Sequence, residues 1–425
     1  MATTMEVDSP SNPGLEMFRR HPIYDNIFSY LTPLSLTRMA SVNRAIRTVT
    51  KDFASRAYHV NRRLSRFVSE PLIFRSLMAR THMVISGSFA LQFFDRTYYP
   101  DSDLDLYLHP NRDIIEIGQY LEQEGYEFVP RSWQLPVYTD EAERVCSNID
   151  VEVDDIENET EASVLYSFRS LRAVYTFKRT LEGGEKREAQ LIVSRVSPLA
   201  SILDFHSTCV MNIITYNAAY SLYPYATFER RDALVVNLES QTQDALAKYS
   251  ARGWRVLANP SPLNEWLIRS EPHNPLYSPW FFINTARWVC DNKSWVIQLD
   301  VDGVVPPPLP SASSQDPGWD PVAECGWQLY MVKWSSEVKL AFDIIKSTIF
   351  RWRYTAPSVE YIESLFPFLR SQGRMEHAKI PEGKTREDVA DAWTWWDFVL
   401  PMLREAYLAE KHVDAPTINV RRRFG

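Results

Sequence analysis

Two pairs of residues in the first quarter of the chain have the types and spacing for phosphate and metal chemistry. The first is Asp103 and Asp105, within "SDLDLYL". On a strand, alternate residues share a face, so both carboxylates point one way and Leu104 and Leu106 the other, with the two Asp Cα atoms about 7 Å apart. Carboxylates at that separation can share one divalent cation, or hold two about 4 Å apart. Without a cation, each raises the other's pKa. Oxygen ligands completed by phosphate make Mg2+ the cation expected. The second pair is Gly87-Ser88, where the apolar run "MVIS" meets "FALQFF". Glycine lets a backbone approach a phosphate closely. The N–H groups that follow lie at a positive helix end, and Ser88 adds a hydroxyl donor.

These pairs need a scaffold of strand, turn, helix, loop and strand over residues 83–109, and the hydrophobic pattern supplies it. An amphipathic helix is expected over about 61–80, and another in "DIIEIGQYLEQEGY" (113–126). "LRAVYTFKRTLEGGEKREAQLIVSR" places two β-rich runs around Glu-Gly-Gly-Glu, a hairpin pattern. Its second strand carries Glu188 and Gln190 on the polar face, with Ala189, Leu191 and Val193 opposite. "NIDVEVDD" alternates strictly, setting Asp150, Glu152 and Asp154 against Ile149, Val151 and Val153, and reads as an exposed strand or an acidic loop. A helix is expected near 240–251, ending at Gly253.

Gly-Ser followed by Ser-Asp-Leu-Asp-Leu on the next strand resembles the nucleotidyltransferase fold of the polymerase-beta type, over about residues 80–215. The resemblance implies that Gly87 and Ser88 contact a nucleoside triphosphate and that Asp103 and Asp105 bind the catalytic Mg2+. The family carries a third carboxylate on a later strand. By pattern, Gln190 occupies that position. A neutral amide can ligate a cation but cannot accept a proton, so Glu188 on the same face, or Asp150 or Glu152, would have to substitute.

Residues 20–55 resemble an F-box, which docks on a Skp-type adaptor of cullin-based ubiquitin ligases. The exposed docking surface would be Pro22, Ile23, Leu34 and Leu36. Local spacing sets Ile23, Ile27, Phe28 and Leu31 on one helical stripe. Thr32-Pro33 reads as a helix start, and Ser41 as the cap of a third helix carrying Val42, Ile46, Val49 and Phe53. An F-box-like segment followed by this transferase pattern is similar to fungal proteins that combine the two parts. The resemblance leaves three classes open: a nucleotidyltransferase, an inactive transferase fold serving as the substrate receptor of a ubiquitin ligase, and a nucleotide-binding sensor.

Composition narrows the setting. The 425 residues carry a net charge of −8, which disfavours a nucleic-acid backbone globally while leaving a local basic patch open. The four cysteines, Cys146, Cys209, Cys290 and Cys325, are scattered and form no CxxC pair, so no zinc ribbon or disulfide scaffold is expected. The polar start "MATTMEVDSPSNPGL" is unlike a signal peptide, and no apolar run reaches the roughly 18 residues of a membrane span, which points to cytosol or nucleus.

The fold expected is α+β: a small mixed sheet of nucleotidyltransferase type, an F-box-like helical segment before it, and a mostly helical Trp-rich C-terminal region. The segments are 1–15 (disordered lead), 16–60 (F-box-like helices), 61–235 (transferase-like), 236–302 (accessory), 303–321 (Pro/Ser-rich loop) and 322–425, where "SEVKLAFDIIKSTIFRWRY" and "TREDVADAWTWWDFVLPMLREAYLAEK" read as helices. Weaker features have plain readings: His206 as a core histidine, "LDVDG" (299–303) as a turn, Trp393, Trp395 and Trp396 as packing, and Lys178, Arg179, Lys186 and Arg187 as a solvated hairpin.

Overall fold

The computed structural model describes residue 18 and residues 20–156, 170–237, 242–257, 280–307, 320–332, 337–390 and 392–411; for 148–156, 242 and 387 it describes the backbone alone. The lead at 1–15, most of the Pro/Ser-rich stretch and the terminal "RRRFG" lie outside these residues.

Three helices open the described chain: His21–Ser29, Pro33–Ala40 and Arg44–Ala57. Thr32 caps the second as expected, accepting from Ser35 N with Pro33 at the first turn. The third is capped by Asn43, which accepts from Ile46 N, and Ser41 instead ends the helix before it. The buried stripe also differs from the expected one. Tyr24, Phe28, Leu36 and Phe53 form the core of this bundle, while Ile23, Ile27 and Val42 are exposed. Leu36 is 3% exposed, so it supports the bundle and is no part of an outward docking surface; Leu34 is half-buried, and Pro22 and Ile23 face solvent. The bundle is fastened to the rest of the chain by Arg96. Its guanidinium donates to the carbonyls of Phe28 and Leu31, capping the C-terminal end of the first helix, where the macrodipole favours a cation.

The central sheet is mixed and larger than the sequence implied. Its strands are drawn from β1 (Val84–Ser86), β2 (Leu104–Leu108), β3 (Glu127–Val129), β4 (Leu171–Thr180), β5 (Lys186–Ser194), β6 (Asn212–Ile214), β7 (Ala218–Ser221), β8 (Asp232–Leu234), β9 (Arg255–Leu257), β10 (Thr285–Trp288) and β11 (Trp295–Gln298). Eight of them pair in the order β11-β7-β6-β1-β2-β5-β4-β3. β2 and β5 run parallel, and every other neighbouring pair in this sheet is antiparallel. β8 and β9 form a separate parallel pair. The β4–β5 hairpin turns where expected, with Gly183 and Gly184 at φ 101° and 85°.

Alternation along β2 divides the two faces of the sheet. Leu104, Leu106 and Leu108 enter a core shared with helices Pro71–Thr81, Gly87–Asp95 and Asp113–Gln123. Tyr107 enters a second core on the opposite face, with Ile192, Tyr220, Trp288, Trp327 and Tyr354. The second core is built largely by the C-terminal part, and that part is not mostly helical. It contains β12 (Gly326–Met331), β13 (Val338–Ala341), β14 (Asp343–Ile345) and β15 (Tyr354–Ala356), with helices Val359–His377 and Leu400–Glu410. β13 and β14 occupy the segment expected to be a helix, because β13 completes a sheet with β12 and β14 pairs with β15. "NIDVEVDD" is likewise not a strand: it ends the helix Tyr138–Ile156, whose buried Tyr138, Ala142, Val145 and Cys146 recur at helical spacing. Among the described residues, no helix is long and apolar enough to cross a membrane.

Candidate functional site

β1 ends at Ser86 directly opposite Asp105 of β2. The chain then turns at Gly87, with φ +65°, and starts helix Gly87–Asp95. A side chain cannot fit at that turn: a Cβ on Gly87 would stand 2.2 Å from Asp105 Oδ2. The Asp105 carboxylate is therefore lodged against the first turn of the helix. Across the parallel pairing, Asp105 registers with Gln190 of β5, and Leu104 with Ala189. Asp105 and Gln190 share the sheet face of Tyr107 and Ile192, at the end that the second core leaves less covered.

Glu188 lies one step further along the same face of β5. Its carboxylate accepts from the Gln190 amide at 3.2 Å and pairs with Lys178 of β4 at 3.1 Å. Burial pushes the Asp105 carboxyl up to about 7; the neighbouring Asp103 charge adds to this, and Lys248 opposes it. Burial also raises Asp103, followed by the charge of Glu188. Three carboxylates, one amide and two lysines thus act on one another at the mouth of the sheet.

The loop between the helix and β2 is tied down by a polar network. The Ser88 and Ser102 hydroxyls are hydrogen-bonded at 2.7 Å, and Gln92 Nε2 donates to Ser102 Oγ at 2.7 Å and to Ser88 O at 2.9 Å. Tyr99 N donates to Gln92 Oε1 at 2.6 Å. Ser88 is buried, and its hydroxyl is committed to this network. The Ser86 side chain does not cap the helix start, and uncapped backbone N–H groups of this kind are suited to an anion.

A cation fits this donor set on chemical grounds. Asp105 carries a strong cost for its negative charge, which a bound cation removes. Two protein carboxylates with a helix start beside them match the way Mg2+ is held jointly by one or two carboxylates and a ligand's phosphates. A cage built wholly by protein is not present: no cluster of three or more His, Cys, Asp or Glu placed to hold an ion occurs among the described residues.

Of the expected residues, the structure brings Gly87, Ser88, Asp103, Asp105, Glu188 and Gln190 together. Asp150 and Glu152 lie in the part of helix Tyr138–Ile156 described by its backbone alone. Lys248, Tyr249 and Gln92 went unmarked in the sequence, and Ser102 stands there only as the first residue of Ser-Asp-Leu-Asp-Leu. The first two come from helix Thr242–Ala251, over 130 residues downstream of the acidic pair, with no local pattern linking them to it. The Gln92 amide lies one helical turn beyond Ser88, a spacing that could have marked it.

The weaker features resolve plainly. The ring centres of His206 and Tyr249 are 5.6 Å apart, and burial lowers the His206 pKa to about 4. Asp300 caps a turn by accepting from Asp302 N, ahead of Gly303 at φ 77°. Trp393 is buried in the second core, and Trp396 Nε1 donates to Glu376. Arg179 and Arg187 are not loosely solvated; their guanidiniums donate to the carbonyls of Phe67 and Arg66.

No protein-family model matches the chain, and no curated protein matches it by sequence. Among solved structures, the chain is similar to a CCA-adding enzyme of Thermotoga maritima in complex with tRNA, at 13% identity and a TM-score of 0.26 over 47% of this chain and 42% of that one. It is similar to a CCA-adding enzyme in an apo form at 12% identity, a TM-score of 0.27 and the same coverages. A third similar structure is a CCA-adding enzyme with CTP, at 13% identity and a TM-score of 0.26 over 47% of this chain and 43% of that one. The chain spans less than half the length of each, the superpositions are loose, and the site stands on its own geometry.

Proposed function

We propose that the chain is a Mg2+-dependent nucleotidyltransferase of the polymerase-beta type, transferring a nucleoside monophosphate from a triphosphate to a hydroxyl. The observation that carries this reading is the lodging of Asp105 against the Gly87 turn, which sets a metal-binding carboxylate beside a phosphate-binding helix start. Asp103 and Asp105 would hold the cation, which when bound supplies charge neutralisation at the phosphates. The backbone at Gly87 and Ser88 orients the triphosphate, with Lys248 and Lys178 adding positive charge. The acceptor oxygen bonds to the α-phosphorus, the bond from that phosphorus to the β-bridging oxygen breaks, and pyrophosphate leaves. The acceptor proton passes to Glu188, since the Gln190 amide cannot take it. Mg2+ with a nucleoside triphosphate at a hundredfold its Kd is expected to stabilise the protein by about 2.7 kcal/mol, read as a rise in melting temperature. No rise with any of the four triphosphates removes the reading. A rise without product from labelled triphosphate, unaffected by Glu188→Gln, leaves a sensor in place of an enzyme.

A second reading is favoured by the outward face of helix His21–Ser29, where Ile23 and Ile27 are exposed and the exposed Tyr30 follows three residues on. That face suits docking on a Skp-type adaptor, with the transferase fold presenting a target to a ubiquitin ligase. Ile23→Asp with Ile27→Asp is expected to abolish adaptor pull-down without altering the melting temperature, because neither side chain supports the bundle core. Failure of the unaltered protein to capture the adaptor ends this reading.

A further inference from the structure

The loop leading into the acidic pair carries two consecutive tyrosines, each stacked by an arginine from a different part of the chain. Tyr98 is 58% exposed, and the Arg66 guanidinium lies 4.2 Å from its ring centre. The Arg252 guanidinium lies 3.8 Å from the ring centre of Tyr99. The loop is held in place: Arg63 donates to Thr97 O at 3.0 Å and Arg66 to Pro100 O at 3.3 Å. Arg252 follows Lys248 by one helical turn, its N–H donating to Lys248 O at 3.2 Å, and Lys248 is the exposed lysine whose charge acts on Asp103 and Asp105. A strip of two arginine-backed rings thus lies along the loop that leads into the acidic pair, the second ring beside the helix that carries Lys248.

We propose that this strip binds a single-stranded nucleic acid, with a nucleobase stacked on the open face of Tyr98 and the strand's phosphates against Arg66, Arg252 and Lys248. The proposal deepens the transferase reading and rests on it in one respect: it makes the end of that strand the acceptor hydroxyl. An exposed ring backed by a guanidinium presents one free aromatic face beside positive charge, the combination on which single strands bind irrespective of sequence. Two stacks on adjacent residues offer charge to more than one phosphate, which suits a strand better than a lone nucleotide. The basic strip is local on a chain of net charge −8, so tight binding of long duplex is not expected.

The test uses the full chain and fluorescein-labelled 12-nucleotide oligo-A, as RNA and as DNA, read by fluorescence anisotropy at 50 and 200 mM KCl without Mg2+ or triphosphate. Binding is expected, weaker at the higher salt. Tyr98→Ala is expected to weaken it about tenfold, Tyr98→Trp to restore it, and Lys248→Gln to weaken it and flatten the salt dependence, with the melting temperatures of the two Tyr98 variants unchanged. Absence of binding to either oligonucleotide at 50 mM KCl, or equal affinity in Tyr98→Ala, overturns the proposal. A preference for RNA over DNA identifies contact with the 2′-hydroxyl. Oligonucleotide binding without any Mg2+–triphosphate stabilisation would keep the strand site and end its acceptor role. Stabilisation without oligonucleotide binding would keep the transferase reading and end this inference.

Discussion

Asp105→Asn is expected to make the ligand-free protein more stable at pH 8 and to abolish its Mg2+-dependent response to triphosphates. Burial and the Asp103 charge lift the Asp105 carboxyl from 3.8 to about 7 in the folded protein. The folded state therefore binds a proton that the unfolded state has released, and stability falls as pH rises through that interval, about pH 4 to 7. Below it the protonated acid costs nothing; above it the buried charge is carried in full. A separation of about three pH units sets a ceiling near 4 kcal/mol, and residual exposure and the nearby Lys248 bring the expected loss to roughly 1–3 kcal/mol. Asparagine keeps the shape and cannot ionise. Urea unfolding at pH 5 and pH 8 should show the unaltered protein losing stability between the two while the variant changes less. Equal losses in both proteins would mean that Asp105 is not the group whose charge is suppressed. At pH 8, saturating Mg2+ and triphosphate should restore the unaltered protein and leave Asp105→Asn where it was.

Gly87→Ala is expected to destabilise the protein by about 2–4 kcal/mol and to eliminate Mg2+–triphosphate stabilisation. Two costs combine. At φ +65° an alanine is held in the left-handed region, costing roughly 1–2 kcal/mol. Its Cβ would also lie 2.2 Å from Asp105 Oδ2, so either the carboxylate or the turn must move. Gly383→Ala isolates the first cost, because Gly383 has a similar φ of +76° and a Cβ there meets nothing within 4 Å. Urea unfolding of the two variants separates the effects. If Gly87→Ala loses no more than Gly383→Ala, the Asp105 carboxylate is not held against the turn in solution.

The elements carrying the acidic pair were legible because each left a local mark. Glycine-serine broke an apolar run, the Asp-Leu-Asp alternation set a face, and Glu-Gly-Gly-Glu closed the β4–β5 hairpin. That hairpin's polar face put Glu188 and Gln190 on one side, and the register of Gln190 against Asp105 comes from the parallel pairing of β2 with β5. What misled was pattern without context. Alternation in "NIDVEVDD" was read over eight residues, whereas the stripe that decides the helix begins at Tyr138 and includes Ala142, Val145 and Cys146. In "VKLAFDII", Val338, Leu340, Phe342 and Ile344 recur every second residue, a strand pattern that the helix reading passed over and that pairing of β13 with β12 and of β14 with β15 realises. At the N-terminus the stripe of Ile23, Ile27, Phe28 and Leu31 holds only in part: the bundle buries Phe28 together with Tyr24, and Ile23 and Ile27 stay exposed. Lys248 had no mark at all, since only the tertiary fold brings it to the site.

The place of β2 in the sheet has a consequence for the newly made chain on the ribosome. Its neighbours are β1, made just before it, and β5, whose pairing residues end with Val193. β1 in turn waits for Ile214 of β6. At synthesis rates of about 5–20 residues per second, roughly 4–17 seconds separate the emergence of Leu108 from that of Val193. Throughout that interval the acidic strand is half of a two-stranded ribbon with both outer edges unpaired and Leu104, Leu106 and Leu108 without much of their core. The nascent protein is most exposed to misassociation in the same segment that later carries its candidate chemistry, and early chaperone engagement should concentrate there.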